Sequence, residues 1–356
     1  MSEGRSESVD AAHERTIAAM VAEVERGPEI YRPSRFWEHL NCVNKGMLQE
    51  LGLENFKRSV AQNYFNWLVL GRGDPQFRAA SGRWLRRPSL QPFLNKLEVP
   101  ELLRTTAGPE DNIRPMSLWI YKLFVGMLWE YALQQDWSGI SGRVEEPEIG
   151  NPIRLYRRGK LITQDLANSI REYNAILGAA RDLAESPKRV AELGAGYGRV
   201  AHVFLSDQRT KYFIFDIPPA LHVAQWYLGE AHPARRAFRF RHFDAFGEVA
   251  AELEACDVAF LTPNQMALFP DGYFDIFATI STLPEMAAEQ IENYLRQIER
   301  LSKRFVYLKQ WLDWENPADG HRVVSDSMRL GSGWTPVYDR PDAIQPLFFE
   351  RLWRKN

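Results

Sequence analysis

The chain has 356 residues, 45% of them hydrophobic and 25% charged, with a formal net charge of −2. That length exceeds the size at which a single core stops growing, so two folded units are expected, and the balanced charge gives no whole-molecule field to attract nucleic acid or an anionic membrane. Two cysteines, Cys42 and Cys256, are too few for a disulfide framework and read as reduced thiols.

Residues 1–27 carry acids through an Ala-rich stretch and lack the apolar core of a signal peptide, so the expected location is cytoplasmic. From Pro33 to about Gln135 the pattern is helical. Ser34 is placed as an N-cap and Gly52 stands just past the last periodic residue. Phe56, Val60, Tyr64 and Trp67 then recur on one helical face, with Gly71 as a stop. Pro, Gly and Arg residues between Gly71 and Pro115 predict short or broken helices, and Arg83, Arg86 and Arg87 read as a solvated cluster before they read as a grip for a phosphate or carboxylate. The apolar run Ser117 to Leu133 is interrupted by Lys122, Gly126 and Glu130 and is short for a bilayer. It predicts a buried helix; the alternative is an aromatic wall for a substrate, built from Trp119, Tyr121, Phe124 and Trp129. Residues 1–150 are thus expected to form a helical region capping a substrate site, and residues 151–356 an α/β unit.

A linker-like stretch, Ser138 to Arg154, leads to a helix carrying Ile170, Tyr173, Ile176 and Leu177. After Pro187 short apolar runs alternate with helical patterns: "RVAELGAG", "KYFIFDIPP", "RFRHFDAF", "YFDIFATIS" and "RFVYLKQW". That alternation predicts βαβ units and a mostly parallel sheet covered by helices. The run "DVAFLTP" at 257–263 is either an extra strand or a competitor for the position of "YFDIFATIS".

The first of these strands ends in "ELGAGYGR", with Gly194, Gly196 and Gly198 at alternate positions. Arg199 stands where a dinucleotide fingerprint needs its third glycine, which removes the packing around a pyrophosphate that this glycine serves. S-adenosylmethionine has no pyrophosphate, and its ammonium, ribose hydroxyls and adenine amino group are all donors suited to carboxylates. Glu192 is placed to accept from the ammonium and Asp216, closing the second strand, from the ribose. Asp244, in the third run, is placed to meet the adenine. Asp216 could instead form a turn before Pro218, and Asp244 could cap a helix.

These residues resemble the bacterial sugar O-methyltransferase family. The likeness is carried by "PSRFWEHLN" and "GLENFKRSVAQNYFNW", by "GNPIRLYRRGKLITQDLANSIREYNAIL", by "ELGAGYGR" and "FDIP", by "STLPEM" with Tyr294 downstream, and by "RFVYLKQW". Thr279 stands where the family carries Asn. The resemblance implies a Rossmann-like methyltransferase sheet whose last strand, "FFERLWRK", is antiparallel, together with S-adenosylmethionine and methyl transfer to a sugar hydroxyl. The expected cofactor set is Glu192, Gly194, Ala195, Gly196, Tyr197 and Gly198 in the turn, Asp216 and Ile217 after the second strand, Asp244 and Ala245 after the third, and Gln164 and Ser281 from the flanking motifs.

Transfer to oxygen needs in-line positioning and removal of the hydroxyl proton. Glu285, after the fourth strand, is the expected base, its carboxyl shielded by Leu283 and Met286. The competing reading makes it an acid in the first turn of a helix opening at Pro284. His242 is the second candidate base, and His202 a further rival that also reads as a packing histidine. No metal-ligand spacing is present, and the arginines of "PARRAFRFRHF" alternate as on a half-solvated strand instead of marking an RNA site. The expected partner is a small molecule or glycan, without nucleic acid or membrane, and a homo-oligomer stays open. The rivals to this reading are methyl transfer to a non-sugar O, N or C acceptor and a non-catalytic binding protein.

Overall fold

The computed structural model describes residues 3–59, 68–85, 114–178, 181, 186–207, 210–318 and 320–356. Val60, Tyr64, Trp67, Arg86 and Arg87, expected on a helix and in a basic cluster, lie outside them. The N-terminal part is helical: α1 (Glu3–Arg26), α2 (Arg35–Leu51), α3 (Phe56–Ser59), α4 (Pro75–Leu85) and α5 (Pro115–Gln135). Ser34 caps α2 as expected, its Oγ accepting from the Trp37 N–H, and Gly52 ends it with a positive φ of 79°. In α5, Tyr121, Phe124 and Trp129 are buried in the core, Trp119 is exposed, and none of the four borders the cleft described below. The helix therefore packs and does not form a substrate wall. No helix among the described residues is long and apolar enough to cross a membrane.

A short hairpin, β1 (Tyr156–Arg157) and β2 (Lys160–Leu161), precedes α6 (Gln164–Gly178). The alternating region follows: β3 (Arg189–Leu193), α7 (Arg199–Asp207), β4 (Lys211–Phe215), α8 (Ala220–Ala231), β5 (Ala237–Phe238), α9 (Ala250–Ala255), β6 (Val258–Leu261), β7 (Phe274–Ile280), α10 (Ala288–Leu301) and β8 (Ser302–Trp311). A hairpin of β9 (Asp313–Glu315) and β10 (Arg322–Val324) leads to β11 (Trp334–Pro341) and β12 (Phe348–Lys355). The eight-stranded sheet runs β11-β12-β8-β7-β3-β4-β6-β5, parallel from β8 to β5, while β12 pairs antiparallel to both β8 and β11. This is the expected Rossmann-like sheet with its antiparallel last strand.

One strand assignment is corrected. The third position belongs to β6, from "DVAFLTP", and only Ala237–Phe238 ahead of "RFRHFDAF" is extended in the sheet, at its edge. The four residues of β6 are buried, as an interior parallel strand requires, whereas an arginine at every second place cannot be covered on both faces. "YFDIFATIS" supplies β7 separately, next to β3.

Strand alternation divides the core. Val190, Tyr212 and Ile214 face a cluster shared with Phe124, Ile170, Val203 and Leu221, so α5 to α8 cover one face. Ala191, Phe213, Phe215 and Phe277 face the other, packed on Leu253, Ile298 and Phe349. The N-terminal helices are thus continuous with the sheet's apolar interior.

The capping side chain of α2 also reaches the sheet, because Ser34 Oγ donates to the Glu285 carbonyl at 2.7 Å. Ser34→Ala is expected to cost about 1–2 kcal/mol in urea unfolding, and Ser34→Thr to recover most of it.

Candidate functional site

The parallel strands end along one edge, where a cleft of about 170 Å³ opens partly to solvent. Its floor is the turn after β3. Gly194, Gly196 and Gly198 have φ of 74°, 59° and 85°, the left-handed region that favours glycine. A Cβ at Gly194 would collide with the Thr282 side chain, and one at Gly198 with Leu228. The Gly196 and Ile217 N–H groups donate to the two oxygens of Asp216, each at 2.7 Å.

Three carboxyl groups at this edge are buried and, among the described residues, none has a cation as ion-pair partner. Burial pushes Glu192 up to about 8, although the Tyr212 hydroxyl donates to it at 2.7 Å. Asp216 rises to about 7, burial outweighing its two amide donors. Glu285 rises to about 8 by burial; a hydrogen bond from the Trp37 side chain restrains it and the Asp216 charge raises it further. Its Oε2 has no hydrogen-bond partner among the described residues.

Gln164, Glu192, Gly194, Ala195, Gly196, Tyr197, Asp216, Ile217, Ser281 and Glu285 border the cleft together, while Gly198 shapes the turn without bordering it. Glu285 lies in a separate 3-10 turn, Leu283–Glu285, and α10 starts only at Ala288, where Gln290 caps through the Ala287 N–H at 3.1 Å. The competing reading, Glu285 in the first turn of that helix, is therefore corrected. Ser281 is a non-glycine residue at φ 53°, a conformation costing about 1–3 kcal/mol that the surroundings must impose. Thr279 is buried beneath the cleft, hydrogen-bonded to Gln310 Nε2 at 3.3 Å.

His242, Asp244 and Ala245 are not brought there, which corrects their expected placement. The Asp244 side chain is 85% exposed and meets His242 Nε2 at 3.2 Å, while His242 Nδ1 lies 2.7 Å from Glu23. The reason is the strand correction: the third strand end belongs to β6, followed by Thr262 and Pro263, and Pro263 borders the cleft with no acid in that place. His202 is buried, bonded to His232 at 2.9 Å and to the Glu145 carbonyl at 3.0 Å, and burial lowers it to about 4, as for a packing histidine.

Sequence reasoning missed much of the cleft wall. On α6, Asn168 and Glu172 follow Gln164 at intervals of four, a polar stripe that is buried and faces the cleft. Asp165 beside them accepts from the Tyr197 hydroxyl at 2.6 Å and is raised to about 7 by burial. Glu172 is ion-paired with Arg199 and, at 2.8 Å, with Lys309, which also meets Asp342 at 3.2 Å. The readable signal was the helical period of polar residues in "QDLANSIRE". From the N-terminal part, Arg32, Ser34 and Trp37 border the cleft, and Gln290 Nε2 donates to the carbonyls of Arg32 and Ile30 at 2.7 and 3.2 Å. Among the described residues no group of three or more His, Cys, Asp or Glu could hold a metal ion.

No protein-family model matches this chain, and no curated protein matches it by sequence. Among solved structures it is similar to the Burkholderia thailandensis 1,6-didemethyltoxoflavin-N1-methyltransferase with bound S-adenosylhomocysteine, at 19% identity over 53% of this chain and 78% of that one, with a TM-score of 0.37. It is also similar to the glycopeptide N-methyltransferase MtfA complexed with S-adenosylmethionine, at 15% identity over 51% and 86% of the two chains and a TM-score of 0.33. A third is the [4+2]-cyclase SpnF, at 14% identity over 52% and 82% and a TM-score of 0.35. Likeness of this degree leaves the chemistry to be read from the side chains themselves.

Gly194→Ala combines a left-handed φ with the Thr282 collision, so it is expected to lower unfolding free energy by about 2–4 kcal/mol. Adding Thr282→Ser to it, measured by thermal melting, should recover part of that loss by removing a methyl group from the contact.

Proposed function

We propose that this chain is an S-adenosylmethionine-dependent O-methyltransferase acting on a sugar hydroxyl, whether free, nucleotide-linked or carried on a natural product or polysaccharide. The observation that carries the reading is that Glu192, Asp216 and Glu285 open into one cleft around the glycine turn, all without an ion-pair partner among the described residues. Buried acids raised to about 7 or 8 are costly unless a ligand brings donors or positive charge. The donor set of S-adenosylmethionine fits them. When bound, that cofactor supplies an activated methyl group on a sulfonium.

The chain's own residues then divide the work. Glu192, on β3, would hold the ammonium, and Asp216, on β4, the ribose hydroxyls. The turn at Gly194 and Gly196 lets the backbone approach the ligand closely. Glu285, one strand further along the edge, would take the proton of the acceptor hydroxyl, and its raised pKa suits a base working near neutral pH. Two buried acceptor atoms bordering the cleft, Glu285 Oε2 and Gln345 Oε1, have no hydrogen-bond partner among the described residues. An acceptor bearing several hydroxyl donors satisfies both, which supports a sugar over an acceptor with one reactive atom.

Asp216→Ala is expected to weaken S-adenosylmethionine binding by about 1.5–3 kcal/mol, roughly ten- to a hundred-fold, measured by calorimetry; unchanged affinity removes Asp216 from the ribose site. Glu285→Gln should lower turnover roughly 10²- to 10⁴-fold with little change in cofactor affinity. The sign with pH follows from the raised pKa: Glu285 is protonated below about 8, so wild-type kcat/KM should climb as pH rises towards that value, and the Gln variant should lack this limb. Labelled methyl transfer to a panel of sugars and aglycones tests the acceptor class, and transfer only to an aglycone overturns it.

A further inference from the structure

The cleft changes character along the sheet edge from β4 towards β12. Asp216 follows β4, the glycine turn follows β3, and Ser281 and Glu285 follow β7. Beyond them lie Trp311 at the end of β8 and Phe348 at the start of β12, paired in register. Their rings stand 4.5 Å apart, inclined at 37°. Trp314 lies 4.9 Å from Trp311 and 6.5 Å, edge-on, from Phe36, which in turn meets Trp37 at 5.5 Å. Trp37 and Phe348 border the cleft, and the other three rings buttress them. Trp314 is half-buried, and its indole N–H has no partner among the described residues. An aromatic platform therefore lies on the side of Glu285 away from the ribose acid, where the remainder of an acceptor must extend.

Charge narrows what that remainder is. Asp165, Glu172, Glu192, Asp216 and Glu285 border the cleft against Arg32, Arg199 and Lys309. Arg199 and Lys309 are committed to Glu172, and the Arg32 guanidinium makes one hydrogen bond among the described residues, to the Glu25 carbonyl at 3.2 Å. With Glu192 and Asp216 taken by the cofactor, a diphosphate beside the platform would meet the Glu285 carboxyl and, among the described residues, one guanidinium without an ion-pair partner, Arg32.

We propose that the acceptor is a glycoside and not a sugar nucleotide: its sugar presents a hydroxyl to Glu285, and an uncharged apolar ring attached to that sugar stacks on the platform of Trp37 and Phe348. Such a ring gains from a preformed aromatic surface without requiring any counter-charge. This inference rests on the methyl-transfer reading and divides its acceptor class.

The test titrates three sets of probes by calorimetry into the full chain, with and without S-adenosylhomocysteine: p-nitrophenyl glycosides, the corresponding free sugars, and UDP with UDP-linked sugars. The expected result is that at least one p-nitrophenyl glycoside binds about ten-fold or more tighter than its free sugar, equivalent to ~1.4 kcal/mol, with no comparable gain from UDP. Phe348→Ala and Trp314→Ala should each reduce that gain several-fold, with circular dichroism and S-adenosylhomocysteine affinity reporting whether each variant is folded. Trp314→Phe, which keeps a ring, should retain most of the gain if Trp314→Ala fails to fold. The proposal is overturned if aryl glycosides gain nothing over free sugars, if UDP-linked sugars bind more tightly, or if the folded variants keep the full gain. Failure of the methyl-transfer reading shows separately, as absent cofactor binding or absent label transfer, while aryl and UDP affinities are still read on the unloaded protein.

Discussion

The Asp216 carboxylate is the constraint on which the cleft is built. Its two oxygens take the amides of Gly196 and Ile217, one from the turn after β3 and one from the chain leaving β4, both at 2.7 Å. That double contact fixes how far the glycine turn stands from the neighbouring strand, and the left-handed conformations at Gly194 and Gly196 follow from the path it imposes. It also keeps an acid in a dry place, where burial works against its charge. The edge therefore gains its shape from a group that has only backbone amides, and no cation among the described residues, to offset its burial.

The opposite wall resolves its charges internally. Burial pushes Glu172 upward, but Arg199 and Lys309 more than reverse this and hold its carboxyl below the usual range. Arg171 binds both oxygens of Asp342 at 3.0 and 2.8 Å, and Lys309 bridges Asp342 to Glu172. Buried ions persist when each has a partner and its remaining hydrogen bonds are met. α6 is thus anchored to β8 and to the segment before β12 by charge, while its Asp165 is met by the Tyr197 hydroxyl instead of a cation.

What could be read from the sequence was what local pattern determines. Strand-and-helix alternation placed β3, β4, β7 and β8, the glycine spacing placed the turn, and Ser34 and Gly52 marked the ends of α2. Asp244 misled because an acid after an apolar run resembles a strand end, while the strand that fills the third position is set by two-sided burial, a property of the sheet and not of the run. The start of α10 was misjudged because a proline at a first helical position does not reveal that Met286, with ψ 162°, separates a 3-10 turn from the helix. The contributions of Arg32, Trp37, Lys309 and Phe348 were hidden for another reason. They come from distant segments that only the tertiary fold assembles, and no local period encodes their meeting.

The fastening of residues 30–37 onto residues 285–290 joins the N-terminal part to the edge that carries Glu285. Ser34 holds the Glu285 carbonyl, Trp37 hydrogen-bonds the Glu285 carboxyl, and Gln290 holds the carbonyls of Ile30 and Arg32. The stretch that lines the cleft at Arg32, Ser34 and Trp37 is therefore also the one that sets the surroundings of Glu285. Any shift of residues 30–37 would alter the width of the cleft and the hydrogen bonding of Glu285 together, so that the two cannot be tuned independently.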